Sequence, residues 1–284
     1  MKKYIEYWTL LFFYYFFKII GLRASSFLGG MTLSLYGIFS KRNKIIEKNL
    51  NIAFPNLKKR KKKIIIKKMW FHFGRVVGEY PNLNKLNVGE NILIQNEENL
   101  IQPLRRNRNC IFFSAHIGNW ELTSHLLTKS GYKINFIYRA PNNKLVDGLL
   151  KKIRTGYGVG LIKKGNEGAR QCLKILNKKG GHIGMLIDQK MNDGIKTVFF
   201  GRNVMSPSAI VKFAIKYDCP IIPAVCTRLK STRFKISYLK PLTPFKLKKI
   251  GNEKEIMNYF NKIIEKWIKN NPEQWIWFHN RWND

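Results

Sequence analysis

Apolar residues crowd the first 42 positions. An uncharged run from Tyr7 to Phe17 (YWTLLFFYYFF) follows Met1-Lys2-Lys3-Tyr4 and is closed by Lys18; a second apolar patch from Phe27 to Phe39 ends in Ser40-Lys41-Arg42. The first run, 11 residues long, is short against the roughly 20 that a spanning helix needs. Its charged start and apolar middle are those of a secretory leader. However, Arg23-Ala24-Ser25-Ser26 is a poor cleavage site, and Phe12, Phe13, Tyr14 and Tyr15 stand in a row. Aromatic-rich apolar helices flanked by Lys and Arg suit shallow insertion at an anionic lipid interface. A helix buried in a soluble protein would show the same pattern. We expect residues 1–42 to form a membrane-associating region, with Lys41, Arg42 and Lys44 on the cytoplasmic side if it inserts.

Beyond it, residues 43–87 predict helices. Asn49-Leu50-Asn51-Ile52-Ala53-Phe54 stops at Pro55, and a new helix starts near Leu57 with Lys58-Lys59-Arg60-Lys61-Lys62-Lys63 in its first turns. Six cations there oppose the macrodipole and each other, so local helix stability does not account for them; a solvated face or a docking surface does. From Cys110 the pattern alternates. Strands are expected at Cys110–His116, Lys133–Arg139, Gly158–Lys163, Gly181–Asp188, Pro220–Thr227 and Arg233–Leu239. Helices are expected at Trp120–Lys129, Lys144–Thr155, Glu167–Asn177, Ser206–Tyr217 and Lys254–Lys269. This predicts an α/β fold with a mixed, largely parallel sheet flanked by helices. One catalytic domain, residues 43–284, then follows the hydrophobic N-terminal region. In such sheets the loops at the carboxyl ends of the strands collect the reactive groups.

Charge adds a partner class. Lys and Arg total 52 against 17 Asp and Glu, a formal net charge of +35 over 284 residues, while 45% hydrophobic and 13% aromatic content excludes a disordered polycation. A folded, very basic protein suits a polyanion: nucleic acid, an anionic membrane surface or an acidic carrier. Cys110, Cys172, Cys219 and Cys226 are scattered without a CxxC pair, which points to a reducing compartment and away from zinc or a disulfide framework.

The chemistry converges on one histidine. His116 closes the apolar run Ile111-Phe112-Phe113-Ser114-Ala115 and precedes Ile117-Gly118-Asn119-Trp120-Glu121. On one continuous helix Glu121 would lie about 140° around from His116, so the two meet only if the chain turns at Gly118-Asn119. A carboxylate on one ring nitrogen would fix the tautomer and leave the other free as a base. First-turn backbone N–H groups would face a developing oxyanion. No GxSxG, GxxxxGK[ST] or GxGxxG motif competes, and neither HExxH nor HxE suggests a metal.

The segment Ser114-Ala115-His116-Ile117-Gly118-Asn119-Trp120-Glu121 resembles the H-x4-D/E signature of the glycerolipid acyltransferase superfamily, most closely its lipid A biosynthesis (late) acyltransferase branch, the lauroyl/myristoyl transferases. Further blocks resemble that branch in order. Asn49 to Pro55 is similar to NLxxAFP, and Tyr138-Arg139-Ala140-Pro141-Asn142-Asn143 to YR-x-x-x-N. Ile187-Asp188-Gln189-Lys190, Val198-Phe199-Phe200-Gly201-Arg202 and Ser206-Pro207-Ser208-Ala209 are similar to DQ…FFG…TP-x-A. Pro220-Ile221-Ile222-Pro223-Ala224 resembles PVVPAF, and Pro272-Glu273-Gln274-Trp275-Ile276-Trp277 the PEQWxWxHxRW tail. The resemblance spans roughly residues 5–284; the lysine load in residues 58–68 departs from the more mixed charge expected there.

The resemblance implies a glycerolipid acyltransferase-like fold and transfer of a fatty acyl group from acyl carrier protein to a hydroxyl of a lipid A precursor, at the inner membrane with the catalytic domain on the cytoplasmic side. His116 would be the general base and Glu121 its orienting carboxylate. The substrate-binding set it implies is Arg139, Asn142, Asn143, Arg154, Asp188, Gln189, Gly201, Arg202, Ser206 and Pro223. In this set Arg139 and Arg154 serve as fork donors to phosphates or sugar acids, and Gly201 permits close backbone approach. His125 and the tail aromatics Trp275, Trp277, Phe278 and Trp282 read as packing residues or interface anchors. The expected partners are acyl carrier protein, the anionic precursor and the membrane surface, with no cofactor and no nucleic acid. Another membrane glycolipid or a lysophospholipid as acceptor stays open. More distantly, so does a basic nucleic-acid-binding protein, although no RRM, KH or helix-turn-helix signature supports it.

Overall fold

The computed structural model describes residues 1–106 and 108–282; the last two positions of the expected catalytic domain, 283 and 284, lie outside the described residues. Three helices come first: α1 (Lys2–Phe39), α2 (Asn43–Ala53) and α3 (Lys59–Glu79). The sheet region follows as β1 (Ile92–Gln95), α4 (Glu98–Arg105), β2 (Cys110–Ser114), α5 (His125–Lys129), β3 (Ile134–Tyr138), α6 (Lys144–Gly156), β4 (Val159–Lys163), α7 (Asn166–Leu176) and β5 (His182–Leu186). It continues with β6 (Ile195–Phe199), β7 (Arg202–Ser206), α8 (Ala209–Lys216), β8 (Ile221–Lys230), β9 (Arg233–Tyr238), α9 (Pro244–Ile250) and α10 (Glu253–Asn270).

Seven strands form one mixed, mostly parallel sheet in the order β1-β9-β8-β2-β5-β3-β4; only β8 and β9 pair antiparallel. The six expected strands and five expected helical stretches are all present, the first helical stretch as a 3-10 turn Trp120–Ser124 running into α5. The sequence reading missed β1 and the separate hairpin β6–β7. β2 is central and every residue of it is buried, as a parallel strand covered on both faces requires. Alternation splits its side chains between two layers. Ile111 and Phe113 join the core under α10 and the C-terminal tryptophans, whereas Cys110 and Phe112 join the core that holds Leu122 and Leu126.

The two N-terminal apolar patches belong to one helix, kinked at Gly21 (φ 79°). α1 is long and apolar enough to cross a membrane, and much of its surface is exposed Ile, Phe, Trp and Tyr. Its second half packs on α3 through small residues: Ser25, Ser26, Gly29 and Gly30 are buried against the helix that carries Gly74 and Gly78. A Cβ on Gly74 would collide with the Gly29 carbonyl, and one on Gly78 with the Ser25 carbonyl. Close backbone approach of this kind is the small-xxx-small mode of apolar helix pairing.

Buried polar groups lock the same junction. Glu79, fully buried at the end of α3, takes both terminal guanidinium nitrogens of Arg228 on β8, at 2.5 and 2.8 Å. It also accepts from Ser26 of α1 at 2.7 Å and from Asn119 at 2.9 Å.

Replacing Gly74 by Val should cost about 1–3 kcal/mol through overpacking. Thermal unfolding in detergent would register a lower Tm, whereas Gly156→Ala, where a Cβ meets nothing, should leave Tm unchanged or slightly higher. A wild-type Tm for Gly74→Val would contradict the close approach of α1 and α3.

Candidate functional site

The register of β2 on β5 builds the site. Ser114 pairs with Leu186 at the carboxyl ends of these neighbouring parallel strands. His116 lies two residues past one end and Asp188 two residues past the other, so equal offsets on adjacent strands bring them together. The Asp188 carboxylate is completely buried and accepts three bonds, each 2.8 Å. They come from His116 Nδ1, from the His116 backbone N–H and from the indole Nε1–H of Trp275. Burial alone would push the Asp188 pKa up; the charge and hydrogen bonds of His116, with His279 nearby, outweigh it and hold the carboxyl well below the usual carboxylate range.

An ionised carboxylate only accepts, so Nδ1 of His116 carries a proton, and in the neutral imidazole the lone pair is on Nε2. The imidazole side chain is 17% exposed, enough for Nε2 to meet a substrate. Around it, the Gln189 side-chain nitrogen lies 3.3 Å from Nε2 and the Trp120 ring packs 5.3 Å from the imidazole, centroid to centroid. An acceptor nitrogen pinned by a buried carboxylate is the geometry of a general base.

The loop carrying His116 is held from several sides. The tail pairs with it: Ile276 N–H donates to the His116 carbonyl, and Gly118 N–H to the Gln274 carbonyl. Gly118 has φ 58°, and a Cβ there would strike the Cys226 carbonyl, so the expected turn at Gly118-Asn119 forms where only glycine fits. His72 of α3 accepts from Arg228 Nε (3.3 Å) at Nδ1, so its Nε2–H donates to the Gly118 carbonyl (3.1 Å).

The expected pairing of His116 with Glu121 is corrected by this geometry. The 3-10 turn Trp120–Ser124 carries Glu121 toward α6, where its carboxylate accepts from Arg154 Nε (3.1 Å) and Nη2 (2.6 Å) and from the Tyr157 hydroxyl (3.0 Å). Burial and the Glu121 charge push the Tyr157 pKa up, which keeps its hydroxyl a donor. Arg154 is thereby committed to Glu121 rather than left as a free fork for phosphate. Beside this pair, a narrow cavity of ≈ 50 Å³ opens between Trp120, Ser124, Phe136, Leu161 and Leu186.

The rest of the expected substrate-binding set divides. Arg139, Asn142 and Gln189 are exposed beyond the ends of β3 and β5. Asp188 is corrected from substrate contact to partner of His116. Asn143 is buried; it caps α6 and donates to the Lys3 carbonyl (2.8 Å) and the Glu6 carboxylate (2.9 Å) of α1. Ser206 is fully buried against Thr197 and Arg281, and Pro223 is a buried rung of β8 beside Phe113; neither presents a surface to substrate. Gly201 and Arg202 are exposed on the β6–β7 hairpin, where Arg202 lines a separate cleft of ≈ 1040 Å³ with Lys44, Asn51 and Trp282. His125 is buried as expected, with Nε2–H on the Leu86 carbonyl (2.5 Å). Trp275, Gln274, His72 and the Glu79–Arg228 pair were not read as site residues. The tail block held Trp275 and Gln274 in view, but an indole N–H aimed at a carboxylate leaves no mark in a pattern of apolar residues.

A family model described as bacterial lipid A biosynthesis acyltransferase matches residues 1–284, the whole length of the chain. No curated protein matches it.

Burial lowers the pKa of four histidines: His72 to about 3, His182 and His279 to about 4, and His125 as well. Unfolding releases each to an ordinary histidine pKa near 6.5, so below that pH the unfolded chain binds protons that the folded chain refuses. Stability should therefore be complete above pH ~6.5 and fall by up to about 1.4 kcal/mol per pH unit per histidine on the way to pH 4. Thermal unfolding between pH 7.5 and 5 measures this; a flat Tm across that range would contradict it.

Proposed function

The chain belongs to the bacterial lipid A biosynthesis acyltransferase family, and from that premise we propose that it moves a fatty acyl group from an acyl carrier protein thioester to the hydroxyl of a 3-hydroxyacyl chain on a lipid A precursor. The acyltransferase activity and its place in lipid A biosynthesis follow from the family; the donor, the acceptor hydroxyl and the residue roles are our reading. One observation carries that reading: His116 is bonded through Nδ1 to buried Asp188 at 2.8 Å, with Nε2 left facing outward.

In this reading His116 Nε2 takes the acceptor hydroxyl proton as the oxygen attacks the thioester carbonyl, and Asp188 stabilises the imidazolium. The tetrahedral oxyanion is offered the Gln189 amide, whose nitrogen is 3.3 Å from Nε2. Collapse forms the C–O ester bond and breaks the C–S bond. The imidazolium then returns its proton to the departing thiolate. No acyl-enzyme forms, so the four buried cysteines take no part, and the step needs no cofactor. Glu121, with Arg154 and Tyr157, positions the turn that follows the base.

The exposed aromatic face of α1 would seat the protein on the inner membrane, with Lys41, Arg42 and Lys44 on the cytoplasmic side. Both proposed partners are anionic, one a phosphorylated lipid and the other an acidic carrier, which suits a net charge of +35. The exposed cations at the start of α3, Lys58, Lys59, Arg60, Lys61 and Lys63, offer a docking surface to one of them. Nucleic acid is not among the expected partners.

His116→Ala should lower turnover by roughly 100- to 10,000-fold, the span of general-base contributions, while the protein stays with the membrane fraction. Mass spectrometry of lipid A from cells expressing each form, with the acyl carrier protein reaction repeated on purified membranes, reads both the added acyl mass and its loss. Undiminished acyl transfer by the alanine variant would overturn the mechanism.

A further inference from the structure

A groove of ≈ 660 Å³ runs between the first half of α1, residues 80–84 and α6. We propose that this groove binds the phosphorylated, acyl-bearing acceptor lipid, which enters sideways from the membrane along α1. The inference rests on the acyltransferase reading above and adds the place where the acceptor is held.

Three observations support it. First, the walls are amphipathic in the manner such a lipid needs. Tyr7, Leu11, Tyr14 and Lys18 form one stripe of α1, and Lys144, Gly148 and Lys152 run beside Leu145, Leu149 and Ile153 on α6, each row at helical spacings of three or four residues. Aliphatic and tyrosine side chains suit acyl chains; Lys18, Lys144 and Lys152 suit phosphate. No Asp or Glu lines the groove among the described residues.

Second, α1 faces two ways. Its groove stripe is distinct from the stripe Ile5, Trp8, Phe12, Phe16 and Ile19, all exposed. A helix that lies in lipid on one side and walls a groove on the other gives a lipid a route that never crosses water.

Third, the groove is framed at both ends and lies one side chain away from the turn that follows His116. Near its start, Asn143 ties the cap of α6 to Lys3 and Glu6 of α1. Toward the kink, Asn82 donates to the Phe17 carbonyl at 2.8 Å. Tyr157 lines the groove, and its hydroxyl bonds Glu121, in the turn that follows His116.

The test combines direct binding with kinetics on the full-length protein in detergent. The probe is a bis-phosphorylated, tetra-acylated glucosamine disaccharide, with its dephosphorylated form as comparison. Lys18→Gln/Lys144→Gln/Lys152→Gln should raise Kd and acceptor KM about tenfold or more for the phosphorylated probe, with kcat and donor KM nearly unchanged. Lys246→Gln/Lys248→Gln/Lys249→Gln on α9 removes the same charge elsewhere and should leave Kd within twofold. Gly148→Trp, placed where a side chain meets only open space in the groove, should weaken both forms of the probe by filling the apolar part. Equal losses in the two triple-lysine variants would reduce the effect to general charge and overturn the proposal, as would unchanged Kd in the groove triple variant and in Gly148→Trp. If wild-type protein transfers no acyl group yet the Kd pattern holds, the groove stands and the catalytic reading fails.

Discussion

Asp188 gathers three donors from two distant parts of the chain, the His116 loop and the C-terminal tail, into one buried carboxylate. Everything about the site depends on that convergence. A carboxylate out of water is costly unless its oxygens are occupied; here the imidazole, a backbone amide and an indole occupy them. The same bonds fix which nitrogen of His116 holds the proton and where the other nitrogen points. Because the donors come from the loop after β2 and from the tail, His116 is held this way only when the sheet register is formed and residues 274–276 lie alongside the loop.

A second buried carboxylate, Glu79, connects that loop to the N-terminal helices. It binds Arg228 from the sheet, Ser26 from α1 and Asn119 from the turn after His116, while His72 holds the neighbouring Gly118 carbonyl. Removing one partner of such a pair strands a buried charge and costs about 3–5 kcal/mol. In a chain with 17 acidic residues against 52 basic ones, two acids are buried where they hold the His116 loop, and another, Glu121, joins that turn to α6 and to Tyr157 of the groove. Most of the large positive excess remains outside, where it meets solvent.

Much of the fold was legible because alternating strand and helix patterns are local. Every expected strand from Cys110 to Leu239 is present, and His116 stands at a strand end as expected. β1 is only four residues long, and the β6–β7 hairpin is half polar and exposed, so neither gave a clear period. The carboxylate partner of His116 was misread for a different reason. Glu121 is five residues away along the chain, whereas Asp188 is 72 away and becomes a neighbour only through the pairing of β2 with β5. Strand register between distant segments is not written in either segment alone. The DQ block drew attention to Asp188 as a substrate contact; its burial turns it inward. Asn143, Ser206 and Pro223 share that lesson, since a motif can mark a framework position as readily as a surface one.

The central claim is that His116 acts as a base because buried Asp188 holds it. Asp188→Asn tests this most directly, since asparagine keeps the volume but removes the charge and can donate to Nδ1, favouring the wrong tautomer. The measurement is kcat/KM for acyl transfer to the lipid A precursor, made on protein whose thermal unfolding shows it to be folded. The account predicts a fall on the order of 10³-fold or more; folded Asp188→Asn protein with wild-type turnover would contradict it.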